Sequence, residues 1–324
     1  MKRIRKEIAV ALLMGWVVPG FLLWFGAALL EARDVTEEDL IPETMISQQN
    51  NSRRIPVRTG EAVEQQALED YLVGVVLAEM PASFEEEALK AQAVVARTYT
   101  LRANQRGGKH GDGSVCTDHA CCQAYIDPEE YRSRGGTGEN VEKIRRAVMA
   151  TAGQVLTYGG ELIEATYFSC SGGSTEDAVA VWGNDYPYLQ SVDSPGEEHA
   201  AHYTDTVTFT PAEFAGELGM IPSGRPTDWF GAVTYTDGGG VDTMVIGGKT
   251  YKGTELRQKL GLRSTAFTVS AGEKITITTR GYGHRVGMSQ YGADAMALSG
   301  KGYEEILTHY YQGTVLSSLD AVVN

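Results

Sequence analysis

Basic residues are scarce in this sequence. The chain carries 28 Lys and Arg against 42 Asp and Glu, a net charge of −14. That balance argues against a nucleic-acid partner, and no basic stripe interrupts it. Several catalytic signatures are also missing. There is no glycine motif for a nucleotide phosphate, no GxSxG nucleophile elbow and no HExxH metal helix. No internal repeat is present, which leaves out repeat architectures. Cysteine is limited to 4 residues, enough for two disulfides at most.

What remains is a chain of 324 residues, 42% of them hydrophobic, enough for one large domain or two modest ones with a real core. The N-terminus opens with Lys2, Arg3, Arg5 and Lys6. An uncharged run of 23 residues follows, Ile8 to Leu30. A helix rising about 1.5 Å per residue needs roughly 20 residues to cross the hydrocarbon. A cleaved signal peptide has a shorter apolar region, about 7–15 residues. The run therefore predicts a retained transmembrane anchor. The basic flank (residues 1–7) stays cytoplasmic and the rest of the chain faces outward. Residues 31–54 are polar and acidic and read as a linker.

From about residue 55 the pattern becomes globular. "IPVRTG" reads as a strand and turn. Leu68, Leu72, Val75, Val76 and Leu77 give one apolar helix face over Glu64–Met80, closed by Pro81. A second helix begins near Ser83, a candidate N-cap, with Glu85, Glu86 and Glu87 in its first turn. Phe84, Ala88, Ala91 and Val95 share its core face. Further on, "TVTFT" and "KITITT" alternate like strands. "PAEFAGELG" and "GTELRQKLG" read as short helices closed by glycine. "EEILTHYYQGTVL" reads as a helix and a closing strand, with Tyr310 and Tyr311 as packing residues. The expected fold is α+β: residues 55–324 form a two-lobed domain with a substrate groove, and a smaller α+β lobe is inserted at about 200–275.

Three places carry chemistry. Glu79 sits at the end of the first helix beside Met80-Pro81. The negative end of the helix dipole and apolar neighbours both raise a carboxyl pKa. A carboxyl kept protonated near neutral pH suits a general acid, though a solvated helix-end glutamate would look the same in sequence. The second place is "HGDGSVCTDHACCQAY", His110 to Tyr125. Its thiols and imidazoles suggest zinc. Outside the cytoplasm disulfides compete, and Cys121 with Cys170 is one pairing to test. The third is "GYGHRVGMSQYGA", Gly281 to Ala293, which is too rich in glycine and polar aromatic residues for an ordinary helix or strand.

"YLVGVVLAEMPASFEEEALKAQAVVARTYTL", "YFSCSGGSTE" and "GYGHRVGMSQYGA" occur in the order seen in the stage II sporulation protein D family. The chain resembles that family from about residue 56 to its C-terminus, and the N-terminal anchor also fits. The family acts on peptidoglycan as membrane-anchored lytic transglycosylases while the mother cell engulfs the forespore. The resemblance implies that Glu79, in "EMP", is the catalytic acid and that Arg97, in "ARTY", is also needed for activity. It implies zinc on His110, Cys116 and Cys122, with a water in fourth place and a supporting structural role. His119 and Cys121 are the substitutes if the register differs.

The implied ligand is a glycan strand. Ser169, Ser171 and Gly172 with Gly173 would form one wall of its groove. Tyr282, His284, Arg285, Ser289, Gln290 and Tyr291 would supply stacking and hydrogen bonds. One carboxyl suffices when the sugar's own 6-hydroxyl attacks, so a second acid is optional, with Glu164 and Glu176 as candidates. The implied partners are peptidoglycan strands stripped of peptides, the amidase stage II sporulation protein P and the membrane protein stage II sporulation protein M. The implied location is the mother-cell side of the septal membrane. The competing function is a non-catalytic glycan-binding scaffold that stimulates an amidase.

Overall fold

The computed structural model describes residues 53–221 and 223–322. The predicted anchor at 8–30 and nearly all of the linker lie outside them. Among the described residues no helix is long and apolar enough to cross a membrane.

The architecture is mixed α+β with several small open sheets. Strand Arg54–Thr59 turns through Gly60, at φ 62°, into strand Ala62–Ala67, and the two pair antiparallel. This corrects the expected helix start at Glu64. The left-handed turn at Gly60 commits residues 62–67 to the hairpin before the helical pattern can begin. Helix α1 follows at Leu68–Glu79 and is buried on nearly every side. Helix α2, Glu86–Gln105, packs across it, with Phe84, Ala88, Ala91 and Val95 in the core. Ser83 is not the N-cap: Glu85 is, and its own side chain makes no capping bond. The Glu85 N–H instead donates to Asp294 Oδ1 at 2.8 Å, a partner more than 200 residues away. Short helix α3, Pro128–Ser133, and helix α4, Gly138–Ala150, complete this layer. Each starts at a side-chain cap, Asp127 and Thr137 respectively.

Two separate cores are formed. The larger joins α1, α2 and α4 to residues 155–189 and 286–319, and includes the buried Tyr310 and Tyr311. The smaller is built around Phe214, Trp229, Leu256 and Ile277. Its sheet places "KITITT" against "TVTFT", with Ile275 opposite Phe209 and Ile277 opposite Val207. Helix Pro211–Leu218 in this core has a complete capping box at Thr210 and Glu213.

Candidate active site

Glu79 is the last residue of α1. Met80 after it turns to extended backbone, at φ −124° and ψ 141°, which ends the helix before Pro81. Three donors converge on the half-buried carboxyl. Ala124 N–H donates to Oε1 at 2.7 Å, Tyr167 hydroxyl donates to Oε1 at 3.1 Å, and the Gln290 amide donates to Oε2 at 3.4 Å. Burial raises the Glu79 pKa above the ordinary carboxylate value, and these three bonds offset part of the rise. The rise expected from sequence is therefore present, with burial as its main cause.

Tyr167 was not singled out in the sequence, although it opens "YFSCSGG". Its hydroxyl lies 3.3 Å from Gln123 Oε1 as well as 3.1 Å from Glu79. Gln123 is oriented by a bond from its Nε2 to Thr100 Oγ1 at 2.9 Å. A single hydroxyl proton thus has two acceptors within reach. Burial, and then the nearby Glu79 carboxylate, raise the Tyr167 pKa well above its usual value, so it stays a donor.

The two glycine-rich stretches are zipped together. Strand Tyr167–Phe168 pairs parallel with Met288–Ser289. Cys170 and Tyr282 exchange backbone bonds of 3.2 and 2.7 Å, and Tyr291 N–H donates to Ser169 O at 3.0 Å. The approach needs glycine. A Cβ on Gly287, at φ +82°, would come within 2.1 Å of Thr166 O. One on Gly172, at φ +77°, would lie 2.8 Å from the Arg280 backbone.

Several expected sugar contacts are committed elsewhere. Ser171 is fully buried, and its hydroxyl donates to Glu197 Oε1 at 2.9 Å. Arg285, at φ 66°, is buried and donates to Ser171 O, Ser174 O, Gly238 O and Glu176 Oε1 at 2.7–3.0 Å. Ser289 caps the helix that begins at Gln290, accepting from Gly292 N–H at 3.2 Å. Of the remaining expected residues Gln290 is buried against Glu79, and the others are more open. Ser169 is half-buried, and its side chain makes no hydrogen bond with another described residue. Gly172 is half-buried and donates its N–H to Glu197. Tyr282 lies under the Arg263 guanidinium at 4.6 Å. Tyr291 packs between the rings of Phe84 and His199. His284 stands between Phe168 and Trp182, ring centroids 5.6 and 5.2 Å away. Val286 N–H donates to His284 Nδ1 at 3.1 Å, leaving the ring proton on Nε2. Burial, with help from the Arg257 charge, pushes the His284 pKa down to about 4, so the ring is neutral at physiological pH. Trp182, exposed beside it, went unnoticed in the sequence.

Arg97 stands apart from this cleft. It is completely buried. Its guanidinium grips Glu69 with bonds of 3.0 and 2.6 Å and donates to Val148 O and Gln154 O at 3.1 and 3.2 Å. It therefore holds α1, α2 and the end of α4 together rather than meeting a substrate. Glu164 pairs with Arg102 at 2.9 Å and Glu176 with Arg285 at 3.0 Å, and neither touches Glu79.

His110, Cys116, Cys121 and Cys122 come together, with ligand atoms all within 4.8 Å of one another. Strand Val115–Cys116 is held parallel to Arg54–Thr59, with Cys116 beside Arg58. Asp118 O accepts from the Cys121 and Cys122 N–H groups at 3.0 and 2.9 Å, folding the tight turn that presents both thiols. His110 Nε2 is 3.7 Å from each of those sulfurs, and the sulfurs are 3.9 Å apart. A tetrahedron with metal–sulfur bonds of about 2.3 Å has edges of roughly 3.8 Å, so the donor set fits a four-coordinate ion. Cys121 thus stands where a water was expected, and His119 points to solvent. Burial opposes the Cys116 thiolate, but bonds from the Asp118 backbone, His110 and the other two thiols bring its pKa to about 7. All four cysteines are free thiols. Cys170 donates to Glu197 Oε2 at 3.1 Å, so the Cys121–Cys170 disulfide is not made.

Comparison with known proteins places the chain in a family. A family model described as "SpoIID: Stage II sporulation protein" matches residues 58–158. Stage II sporulation protein D of Bacillus subtilis (strain 168) is 46% identical over 278 residues, covering 83% of this chain and 80% of the relative. The protein of the same name from Bacillus amyloliquefaciens is 44% identical over 273 residues, covering 82% and 78%. A Bacillus subtilis protein named "Amidase enhancer" is 31% identical over 306 residues, covering 76% of this chain and 40% of its own length. The chain belongs to the stage II sporulation protein D family.

Proposed function

We propose that the protein is a lytic transglycosylase that cleaves peptidoglycan glycan between N-acetylmuramic acid and N-acetylglucosamine. The observation that carries the reading is the Glu79 carboxyl, held by Ala124, Tyr167 and Gln290 where three separate motifs meet. Burial raises its pKa and so favours the protonated form that a general acid needs. In the first step Glu79 gives its proton to the glycosidic oxygen, the bond to the anomeric carbon breaks, and an oxocarbenium-like centre develops. In the second, the Glu79 carboxylate takes the proton of the same sugar's 6-hydroxyl. That oxygen closes on the anomeric carbon, giving a 1,6-anhydro end and restoring the acid. Tyr167 supports both states: it donates to the carboxylate, and it has Gln123 as an alternative acceptor when Glu79 is protonated. Sugar contacts fall to Ser169, Gly172, Tyr282, His284 and Gln290, with Trp182 as an exposed stacking face. Arg97 acts as a positioning residue through the helix whose last residue is Glu79.

His110, Cys116, Cys121 and Cys122 would hold zinc. The ion would brace the loop that carries Ala124 N–H to Glu79. Ile8–Leu30 would anchor the enzyme with its catalytic domain on the mother-cell side of the septum during engulfment. There it would work on strands stripped of peptides, beside stage II sporulation proteins P and M. The relative named for amidase enhancement supports a second reading, a glycan-binding scaffold that stimulates an amidase. Mass spectrometry of denuded glycan digested by the full-length chain in detergent separates the two. The expected products end in 1,6-anhydro-N-acetylmuramic acid and vanish in Glu79→Gln. Undiminished anhydro ends from that variant would remove Glu79 from the chemistry, and no products from either protein would favour the scaffold.

A further inference from the structure

A groove of about 570 Å³, in the size range of small-ligand sites, is lined by chain neighbours of Glu79 and of its donor Ala124, though not by Glu79 itself. One wall is Leu77 and Ala78, which immediately precede Glu79. Another is Tyr125 and Ile126, which immediately follow Ala124, the donor to Glu79. Tyr131, Asn140 and the turn Arg134-Gly135-Gly136 complete the lining. The groove is built rather than accidental. Tyr125 stacks on Tyr71, centroids 5.5 Å apart, and lies so close to Gly74 that a Cβ there would fall 2.3 Å from its ring. Ile126 N–H is tied to Gly74 O at 3.1 Å. Tyr131 rests on Gly136, where a Cβ would meet the ring at 2.1 Å, so that face is fixed. Asn140 Nδ2 donates to Tyr131 hydroxyl at 3.1 Å, and its Oδ1 accepts from no other described residue. The Arg134 side chain is exposed, and among the described residues it pairs with Glu130 alone, through one amino group.

Two supported aromatic faces, an amide acceptor and an exposed guanidinium match a saccharide, which offers an apolar ring face and hydroxyls. We propose that this groove is a distal glycan subsite, lined by Tyr125, Tyr131, Arg134 and Asn140, that grips the strand beyond the bond presented to Glu79. The inference rests on the glycan-cleaving reading. It commits to the strand itself as occupant because the groove and the catalytic carboxyl share chain neighbours on both walls. A strand that runs on from Glu79 past Ala78 or Tyr125 would lay its next sugars here.

The test uses the full-length chain in detergent with peptide-free glycan fractionated by length. Wild-type kcat/KM should rise with strand length. Arg134→Gln and, separately, Asn140→Ala should raise KM on long strands about tenfold, the loss expected for one hydrogen bond to a charged or desolvated group. They should leave kcat, and all kinetics on the shortest cleavable strands, unchanged. Equal losses on short and long strands would indicate a merely structural role and overturn the proposal. So would a wild type indifferent to length, or variants indistinguishable from it. Binding of long strands to the Glu79→Gln protein, with and without Arg134→Gln, gives a readout that needs no turnover. Weaker binding on adding Arg134→Gln upholds the subsite even if no anhydro ends are ever formed. Preference of the groove for peptide-bearing fragments over stripped strands would overturn it.

Discussion

Two glutamates of the cleft region, Glu79 and Glu197, are both surrounded by hydrogen-bond donors, yet they are built for opposite ends. Glu197 is completely buried. Ser171 N–H, Gly172 N–H and the Cys170 thiol reach its Oε2, and the Ser171 and Ser194 hydroxyls reach its Oε1, all within 3.2 Å. It ties the "SCSGG" loop to the following turn and has no access to a substrate. Glu79 receives three donors, one of them long, and keeps part of its surface open. A carboxylate whose oxygens are all taken up by buried protein donors holds structure. An under-supplied carboxyl at a cleft keeps a proton to give and room for a sugar oxygen to take it.

The contrast can be broken most sharply at Glu79. Glu79→Gln should lower the rate of anhydro-end formation by about 10²–10⁴ while the protein stays folded, as checked by product analysis alongside circular dichroism. Glu197→Ala should do the reverse. It strands buried donors at a cost on the order of 3 kcal/mol, read as a lower urea midpoint, and the surviving folded fraction should still make anhydro ends. A large loss of chemistry at unchanged stability would reverse the roles assigned to the two residues.

Smaller effects sharpen the picture around Glu79. Cys116→Ser should abolish stoichiometric zinc and lower the melting temperature by several degrees, since metal binding to thiolates contributes to folding. Zinc-free protein of unaltered stability would dissociate the cluster from the cleft. Tyr167→Phe should cost about tenfold in kcat, the loss expected for a hydrogen bond to a charged group, with KM little changed. The smallest effect concerns pH. The folded-state pKa of Glu79 is raised. Its contribution to stability is therefore full below the unfolded carboxylate value, about 4.3, and is lost as pH rises through the folded value. Glu79→Gln should then be slightly more stable than wild type at neutral pH, with the gain shrinking toward pH 4. A melting-temperature difference that grows on acidification would contradict the raised pKa. The wild-type rate should fall as pH rises through the same window, because the acid form is the one required.

The sequence by itself determined the local and compositional features. Apolar spacing and Pro81 marked where α1 stops, and so placed Glu79 at a helix end. Glycines marked the close backbone approaches, and the cluster of thiols and imidazoles marked a metal-type loop. These are legible because each depends on residues within a few positions of one another. Tertiary structure decided which of the marked groups face the cleft. Nothing local says that Asp294 caps α2 across more than 200 residues, that Arg97 is closed in by Glu69, or that Ser171 and Arg285 spend their donors on protein partners. Tyr167 is the clearest case. In the chain it is one tyrosine among 16. It becomes a partner of Glu79 only when Tyr167–Phe168 pairs with Met288–Ser289 and swings its hydroxyl over the end of α1. Burial, which sets the Glu79 pKa, is likewise a property of the packed molecule, because desolvation is imposed by chain segments that meet only on folding.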